Sequence, residues 1–299
     1  MRISKALKNN RLCKALTGFS GSEFEELAIE FEWNLNESRR TSKPDRKRKV
    51  GGGRKGVLPG SKEKLFAILM YLKTYPTYDV LGFILDCVRS KAFRHVHQLL
   101  PVLEQTLKRK LVLPERKINS VEEFLQKFPE VRDVFLDGTE RKVQKPVNKK
   151  KRNKLYSGKK KATTRKNIVM TDEHKKILVL TPTKSGRRHD KKLTDKAQLA
   201  RNIPPEVTVW NDTGFKGTEH THPNTQIPKK ASKKHPLTEA EKEENRLISS
   251  IRVVGEHAIG GIKRMKAAAD IYRNHLANLD DTFMLLSAGI WNLHLDLKR

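Results

Sequence analysis

Short apolar segments that end in an acidic residue constrain the fold of this chain more than any other feature. Residues 133–137 read DVFLD and residues 207–212 read VTVWND, and a glycine follows each final acid within two residues. Each segment predicts a buried strand that ends in a carboxylate. Residues 164–170 and 176–181 predict a further strand pair around the turn-like TDEHK. With a short helix near residues 192–201 and two long helices that close the chain, this order predicts an α/β fold with one central sheet.

The segment from Ser61 to Leu107 has a helical pattern and predicts a helix-turn-helix. Ser61 caps the first helix, and the break DCVRS later separates PTYDVLGFIL from KAFRHVHQLLPVLEQTL. The second helix of such a motif would present the following residues to a DNA groove: Lys91, Arg94, His95 and Gln98. A plain three-helix bundle with a polar face explains the same pattern equally well.

The charge of the chain predicts a polyanionic partner. Its 63 Lys and Arg outnumber 34 Asp and Glu, and the formal net charge is +29, which favours nucleic acid over a membrane surface. Residues 141–166 hold 13 of these bases and no acid. The predicted DNA contacts in this run are Lys149, Lys150, Lys151, Arg152, Lys159, Lys160 and Lys161. A solvated basic loop is the alternative interpretation.

The remaining composition suits an intracellular protein. No apolar run approaches membrane-spanning length, and the N-terminal residues lack the apolar region of a secretion signal. The two cysteines, Cys13 and Cys87, form neither a disulfide framework nor a metal cluster. We therefore expect no membrane partner.

Changes in composition and in the predicted secondary structure along the chain predict three domains. Residues 1–56 form a helical segment followed by a basic linker, residues 57–112 form the helix-turn-helix, and residues 113–299 form the α/β domain. The glycine-rich GGGRKG at residues 51–56 superficially suggests a phosphate loop. No strand precedes it and no Lys-Ser/Thr follows it, so a flexible basic linker is the better interpretation.

A third acid lies on the helix predicted over residues 245–265. At about 100° per residue, one stripe of this helix is apolar and comprises Leu247, Ile251, Val254, Ala258, Ile262 and Met265. The opposite stripe comprises Asn245, Ser249, Arg252, Glu256, Gly260 and Lys263. Glu256 is its only acid, and small residues flank it. An ordinary surface helix with salt bridges is the alternative.

Two aspartates and a glutamate that converge would form a metal site. The carboxyl ends of strands meet at one edge of a sheet, which would bring Asp137 and Asp212 together. With Glu256 they would bind two divalent ions, Mg²⁺ or Mn²⁺, which prefer oxygen ligands. Such a pair supports in-line phosphoryl transfer, and the bases Arg252 and Lys263 would hold phosphates.

Ordered motifs along nearly the whole chain resemble a known family. The segments LDGTE, VWNDTGFKG and RVVGEHAIGGIK resemble the Asp-Asp-Glu (DDE) signature of bacterial insertion-sequence transposases, in particular the "insertion sequence five" group, which is related to Harbinger-type elements. The spacing of Arg252, Glu256 and Lys263 fits the signature, but Ser249 stands where some relatives have Tyr. LTGFSGSEFEEL, KLYSGKKK and GRRHD also resemble family blocks.

The resemblance implies a ribonuclease-H-like catalytic core, with a mixed central sheet flanked by helices, behind an N-terminal all-α helix-turn-helix domain. It implies metal-dependent hydrolysis at the terminal inverted repeats of an element, followed by strand transfer into target double-stranded DNA. Asp137, Asp212 and Glu256 would be the catalytic metal ligands. Asp190 in the GRRHD block is expected to lie outside this set, either next to the ligands or at the start of a helix. The resemblance also implies a bacterial cytoplasmic protein that associates with the nucleoid.

Other functions fit the same sequence. A DNA-binding relative that no longer cuts is one alternative, and a general metal-dependent nuclease of the same fold is another. Bringing two element ends together would require a dimer or a larger assembly.

Overall fold

Helices form the N-terminal part of the chain, and strands appear only after residue 132. The structure is a computed structural model, and it describes residues 3–42, 56–232 and 236–298. Most of the predicted basic linker, including the glycine run at 51–53, lies outside the described residues.

Seven helices precede the first strand in the described part of the chain. They are α1 (Ile3–Leu7), α2 (Asn10–Thr17), α3 (Gly21–Thr41), α4 (Ser61–Thr74), α5 (Tyr78–Leu85), α6 (Arg89–Arg109) and α7 (Val121–Lys127). Then follow β1 (Asp133–Lys142), α8 (Lys149–Leu155), β2 (Tyr156–Ser157), β3 (Ala162–Asp172), β4 (Ile177–Leu180), β5 (Lys184–Ser185), α9 (Asp190–Lys196), β6 (Thr208–Asn211), β7 (Thr225–Gln226), α10 (Glu239–Lys263), α11 (Lys266–Ala269) and α12 (Leu279–Asp296).

The chain divides into two compact units, neither of which is continuous in sequence. The first comprises residues 1–113, 264–270 and 292–299, and the second comprises residues 114–263 and 271–291. The C-terminal segments belong to the first unit through specific contacts. The Asn292 amide donates to the Val112 carbonyl at 3.0 Å, and Met265 lies against Gly18.

The first unit contains the helix-turn-helix as α5, a turn and α6. The Thr77 side chain caps α5 by accepting the Val80 N–H at 3.3 Å. The helix ends at Asp86, which has the left-handed φ of 54°. Gly82 allows the turn to close, because a Cβ there would lie 2.6 Å from the Cys87 carbonyl oxygen. The chain then enters α6 at Arg89.

The second unit is built on a mixed sheet. The strand order is β2-β3-β1-β6-β7, and β4 and β5 also pair with β3. The central strand β1 runs antiparallel to β3 and parallel to β6, and β7 is parallel to β6. Alternate residues of β1 point to opposite sides of the sheet. Helices pack against the side chains on both sides.

The core on one face is apolar and fully enclosed. Its residues from the sheet include Val134, Leu136, Ile168, Met170 and Val209, and Phe124, Leu193 and Phe215 cover them. On the other face α10 packs on β1, and Gly255 permits the contact because a Cβ there would lie 3.1 Å from the Phe135 Cβ. The mixed sheet and the helical N-terminal region confirm the predicted fold class. No helix in the described part of the chain has the length and apolar character needed to cross a membrane.

Two details of the predicted elements are wrong. Asp137 does not end its strand, because β1 continues to Lys142 by pairing with β3 after its pairing with β6 has stopped. The predicted apolar stripe of α10 is also rotated, since Leu247 is 62% exposed whereas Ile248 and Ile259 are buried. The glycines at 255 and 261 set the buried face, and a hydrophobicity pattern does not register them.

Adjacent glycines in α10 give a matched test of this packing. A Cβ at Gly261 would lie 2.1 Å from the Trp291 ring, whereas nothing lies within 4 Å of a Cβ at Gly260. We expect Gly261→Ala to destabilise the protein by about 1–3 kcal/mol through overpacking. Gly260→Ala should stabilise it by up to about 1 kcal/mol through helix propensity. Chemical denaturation measures both, and equal effects would contradict the close contact between Gly261 and Trp291.

Candidate active site and DNA-binding surface

Asp137 and Asp212 come together where β1 and β6 stop pairing. The parallel register ends at the pair Leu136 and Asn211, and an aspartate is the next residue on each chain segment. The Asp137 Oδ1 accepts the N–H of Gly138 at 2.6 Å, and the Asp212 Oδ1 accepts the N–H of Gly214 at 2.7 Å. A glycine N–H therefore orients each carboxylate.

The site carries an excess of negative charge. The pKa of Asp137 is raised to about 6, chiefly by burial and in part by the nearby charges of Asp212 and Asp190. The Gly138 N–H and the cation Arg252 act in the opposite direction without cancelling the shift. A group of carboxylates that perturb one another in this way is a place where a bound cation is favoured.

Glu256, the third predicted acid, does not form a three-carboxylate group with this pair. It follows Gly255, which packs on Phe135, and it is exposed. Arg252, one helical turn earlier, is close enough to influence Asp137. In the described ranges, no three His, Cys, Asp or Glu side chains are placed so that they could hold a metal ion together. The structure thus brings two of the three predicted acids together, and the role of Glu256 stays a prediction.

Basic residues flank the two aspartates. The Lys159 Nζ lies 3.9 Å from the Asp212 Oδ2, and Lys160 and Lys161 follow it at the surface. Lys263 is exposed at the end of α10, whereas Arg252 is half-buried. Lys159 and Arg252 thus lie close to the two aspartates, and the DNA contacts of all these cations stay a prediction.

The predicted basic run contains a helix. In α8 the Asn148 side chain accepts the Lys151 N–H at 3.0 Å, and no residue of the helix is buried. Lys149, Lys150 and Lys151 are exposed and Arg152 is half-buried. The alternative interpretation as a loop is therefore wrong for these residues, because the asparagine cap supplies a helix start. The DNA contacts stay a prediction.

A buried ionic cluster lies next to the aspartates, and the sequence reasoning missed it. The Lys166 Nζ lies 2.8 Å from the Asp190 Oδ1 and 3.1 Å from the Glu140 Oε1. Burial opposes the charge of Lys166, but the two carboxylates outweigh it and raise the Lys166 pKa. The sequence signal was a lysine on the buried face of a strand, with Ile168 two residues later.

The helix-turn-helix exposes part of its predicted DNA face. Arg94 and Gln98 on α6 are exposed, whereas Lys91 and His95 are half-buried. Burial lowers the pKa of His95, and the nearby cations Lys91, Lys64 and Arg94 lower it further. The start of α6 is therefore an electropositive surface.

The raised pKa of Asp137 predicts that replacing this aspartate by asparagine stabilises the protein, and that the gain depends on pH. Between the ordinary value of 3.8 and about 6 the folded state binds more protons than the unfolded state, so stability falls as pH rises through this window. Asp137→Asn should therefore stabilise the metal-free protein at pH 8 by on the order of 1–3 kcal/mol. The gain should vanish as pH falls toward 4.

Thermal denaturation in a metal chelator, between pH 4 and 8, measures this difference. Asp133→Asn is the matched control, since Asp133 lies on the same face of β1 and accepts the Trp210 indole N–H at 2.6 Å. A gain for Asp137→Asn that is independent of pH would contradict the raised pKa.

Comparisons with known proteins agree with this geometry. The family described as DDE superfamily endonuclease matches residues 136–288, just over half of the chain, and the family described as helix-turn-helix of DDE superfamily endonuclease matches residues 57–109. A relative from Microchaete diplosiphon, the probable transposase for insertion sequence element IS702, is 27% identical over 256 residues, which cover 86% of this chain and 88% of the relative. No solved structure matches the chain. The chain belongs to the DDE superfamily of endonucleases and carries the helix-turn-helix of that superfamily.

Proposed function

We propose that this chain is an insertion-sequence transposase that cleaves DNA at the ends of its element and transfers the strand to target DNA. It binds the terminal inverted repeats through α5 and α6, and it uses Asp137, Asp212 and Glu256 with two divalent ions. The observation that carries the proposal is the coupling of two partly buried aspartates at the point where β1 and β6 diverge. The similarity to a probable transposase from Microchaete diplosiphon supports the assignment to transposition.

The donor set suits Mg²⁺ or Mn²⁺. Asp137 and Asp212 offer oxygen ligands, and magnesium is usually held by only one or two carboxylates per ion, with water and substrate phosphate as the other ligands. Burial and like charge disfavour the ionised form of Asp137, and a cation would remove this penalty. Glu256 is the proposed third ligand. Ions held by these residues would supply activation of the attacking oxygen and stabilisation of the leaving oxygen.

The chain itself supplies orientation and charge. The N–H groups of Gly138 and Gly214 hold one oxygen of each aspartate and leave the other for coordination. Lys159, close to Asp212, and Arg252, close to Asp137, are positioned to hold the scissile phosphate and offset the charge that develops during transfer. The exposed lysines of α8 hold the DNA backbone further from the site.

Neutralising the three acids tests the catalytic proposal. Asp137→Asn, Asp212→Asn and Glu256→Gln should each abolish cleavage of labelled element ends in Mg²⁺ or Mn²⁺ while end binding stays nearly intact, because an amide keeps the shape but loses the charge. Double variants should be no worse than single ones, since the acids act as a unit. If Glu256→Gln cleaves DNA at the wild-type rate, Glu256 is not a metal ligand.

The same assay separates the alternatives. A catalytically silent DNA-binding relative would bind element ends without cutting them under any metal condition. A general nuclease would cut unrelated duplexes equally well and would not join the cleaved strand to target DNA. Sequencing the DNA on both sides of the gene would identify the inverted repeats expected of an element, and these would be the substrate for this assay.

Arg94 tests the assignment of the helix-turn-helix. Because base contacts specify a site and phosphate contacts only position the protein, Arg94→Ala should weaken binding to the element end by about 1–3 kcal/mol. Random duplex should be affected much less. Lys150→Gln in α8 is the control and should weaken binding to both DNAs alike. If Arg94→Ala weakens binding to the element end and to random duplex equally, Arg94 contacts the DNA phosphates and not the bases.

A further inference from the structure

We propose that Asp190 is a positioning residue that holds Asp137 and Asp212 at a fixed separation, and that Lys166 anchors it in that role. The inference rests on the proposed function of the two aspartates. It gives Asp190, which the sequence placed outside the metal ligands, a specific task at the site.

The carboxylate of Asp190 lies against both glycines that orient the aspartates. A Cβ at Gly138 would lie 2.6 Å from the Asp190 Oδ1, and a Cβ at Gly214 would lie 3.5 Å from the Asp190 Oδ2. These two glycines donate their N–H groups to Asp137 and Asp212. One side chain therefore contacts the backbone behind each member of the pair.

Gly138 is required by space rather than by backbone conformation. Its φ is not positive, unlike those of Gly18 and Gly217, so an L-residue could adopt its extended backbone. The obstacle to a side chain is Asp190, whose Cγ and both oxygens lie within 3.2 Å of the Cβ position. The sequence thus keeps a glycine next to Asp137 where a carboxylate approaches from the opposite face of the sheet.

Lys166 holds Asp190 in place from within the sheet. Its ammonium lies 2.8 Å from the Asp190 Oδ1 and 3.1 Å from the Glu140 Oε1, and it donates to the Arg188 carbonyl at 3.1 Å. Two ion pairs and one hydrogen bond thus hold this ammonium. Glu140 is the register partner of Lys166 across β1 and β3, and it also accepts the Thr164 hydroxyl at 2.6 Å.

These contacts connect the strand that carries Asp137 to the turn that follows Asp212. Asp137 and Glu140 lie on the same strand, Lys166 joins Glu140 to Asp190, and Asp190 reaches the turn after Asp212. Movement of α9 would therefore alter the spacing of the two aspartates. Because its Oδ1 is committed to Lys166, Asp190 acts through the neighbouring backbone and not as a ligand.

Asp190→Asn tests this role in the full-length protein. Loss of the charge weakens the link to Lys166, and partners that orient metal ligands typically contribute 10–100-fold to affinity or activity. We expect Mn²⁺ affinity, measured by calorimetry without DNA, and the cleavage rate each to fall about 10–100-fold. Element-end binding should remain at the wild-type level.

Asp281→Asn is the matched control. Asp281 is a carboxylate of the same unit that pairs with Arg116 at 2.6 Å and accepts the Thr183 hydroxyl at 2.7 Å. It should lower thermal stability without changing Mn²⁺ affinity. If Asp190→Asn changes Mn²⁺ affinity no more than Asp281→Asn does, the positioning role is overturned.

A second pair of variants keeps the test independent of the ion pair. Gly138→Ala should reduce Mn²⁺ affinity because its methyl group displaces the Asp190 carboxylate. In the Asp190→Ala background the methyl group has room, so the double variant should be no weaker than Asp190→Ala alone. Additive losses would mean that the two residues act separately and would overturn the proposal.

The outcomes also separate this inference from the proposed function. If Asp137→Asn and Asp212→Asn bind Mn²⁺ and cleave DNA like the wild type, the metal site itself is wrong. If those variants lose both properties while Asp190→Asn behaves as the Asp281→Asn control does, only the positioning role fails.

Discussion

The parallel pairing of β1 with β6 is the constraint on which the candidate site depends. The two strands are far apart in sequence, and their register places Leu136 beside Asn211. Each is followed by an aspartate, so backbone hydrogen bonds and the apolar core beneath them bring the backbones of the two aspartates next to each other. Since Val134, Leu136 and Val209 are fully enclosed in that core, a shift of register by one residue would bring buried side chains to the wrong face.

The alternation of side chains along β1 divides the work between the two faces of the sheet. Phe135 and Asp137 point toward α10, which brings Arg252 close to the site. Gly138 and Glu140 point to the opposite face, where Lys166 and Asp190 extend the apolar core with a buried ionic cluster. Buried charges are tolerated there because each has a partner of opposite sign.

Sequence periodicity predicted those parts of the fold where burial follows hydrophobicity. Apolar runs indicated β3, β4 and β6, and the alternation of helix and break indicated α5 and α6. Sequence periodicity failed where polar side chains are buried in ion pairs with one another. The second half of β1 reads GTERK and continues the strand by pairing with β3, where Glu140 meets Lys166. For the same reason Lys166 was not recognised, although Asp137 and Asp212 could be found from the acids that follow apolar strands.

The division of each unit into separate stretches of chain has a consequence for biosynthesis. The chain passes between the two units four times, and the first unit needs residues 264–270 and 292–299, which leave the ribosome after every strand of the other unit. The unit that contains the helix-turn-helix therefore cannot complete its packing until the whole sheet of the other unit has been translated. A nascent chain that stops before residue 292 lacks Asn292 and its bond to Val112. The finished DNA-binding unit is thus available only on chains that also carry the complete catalytic sheet.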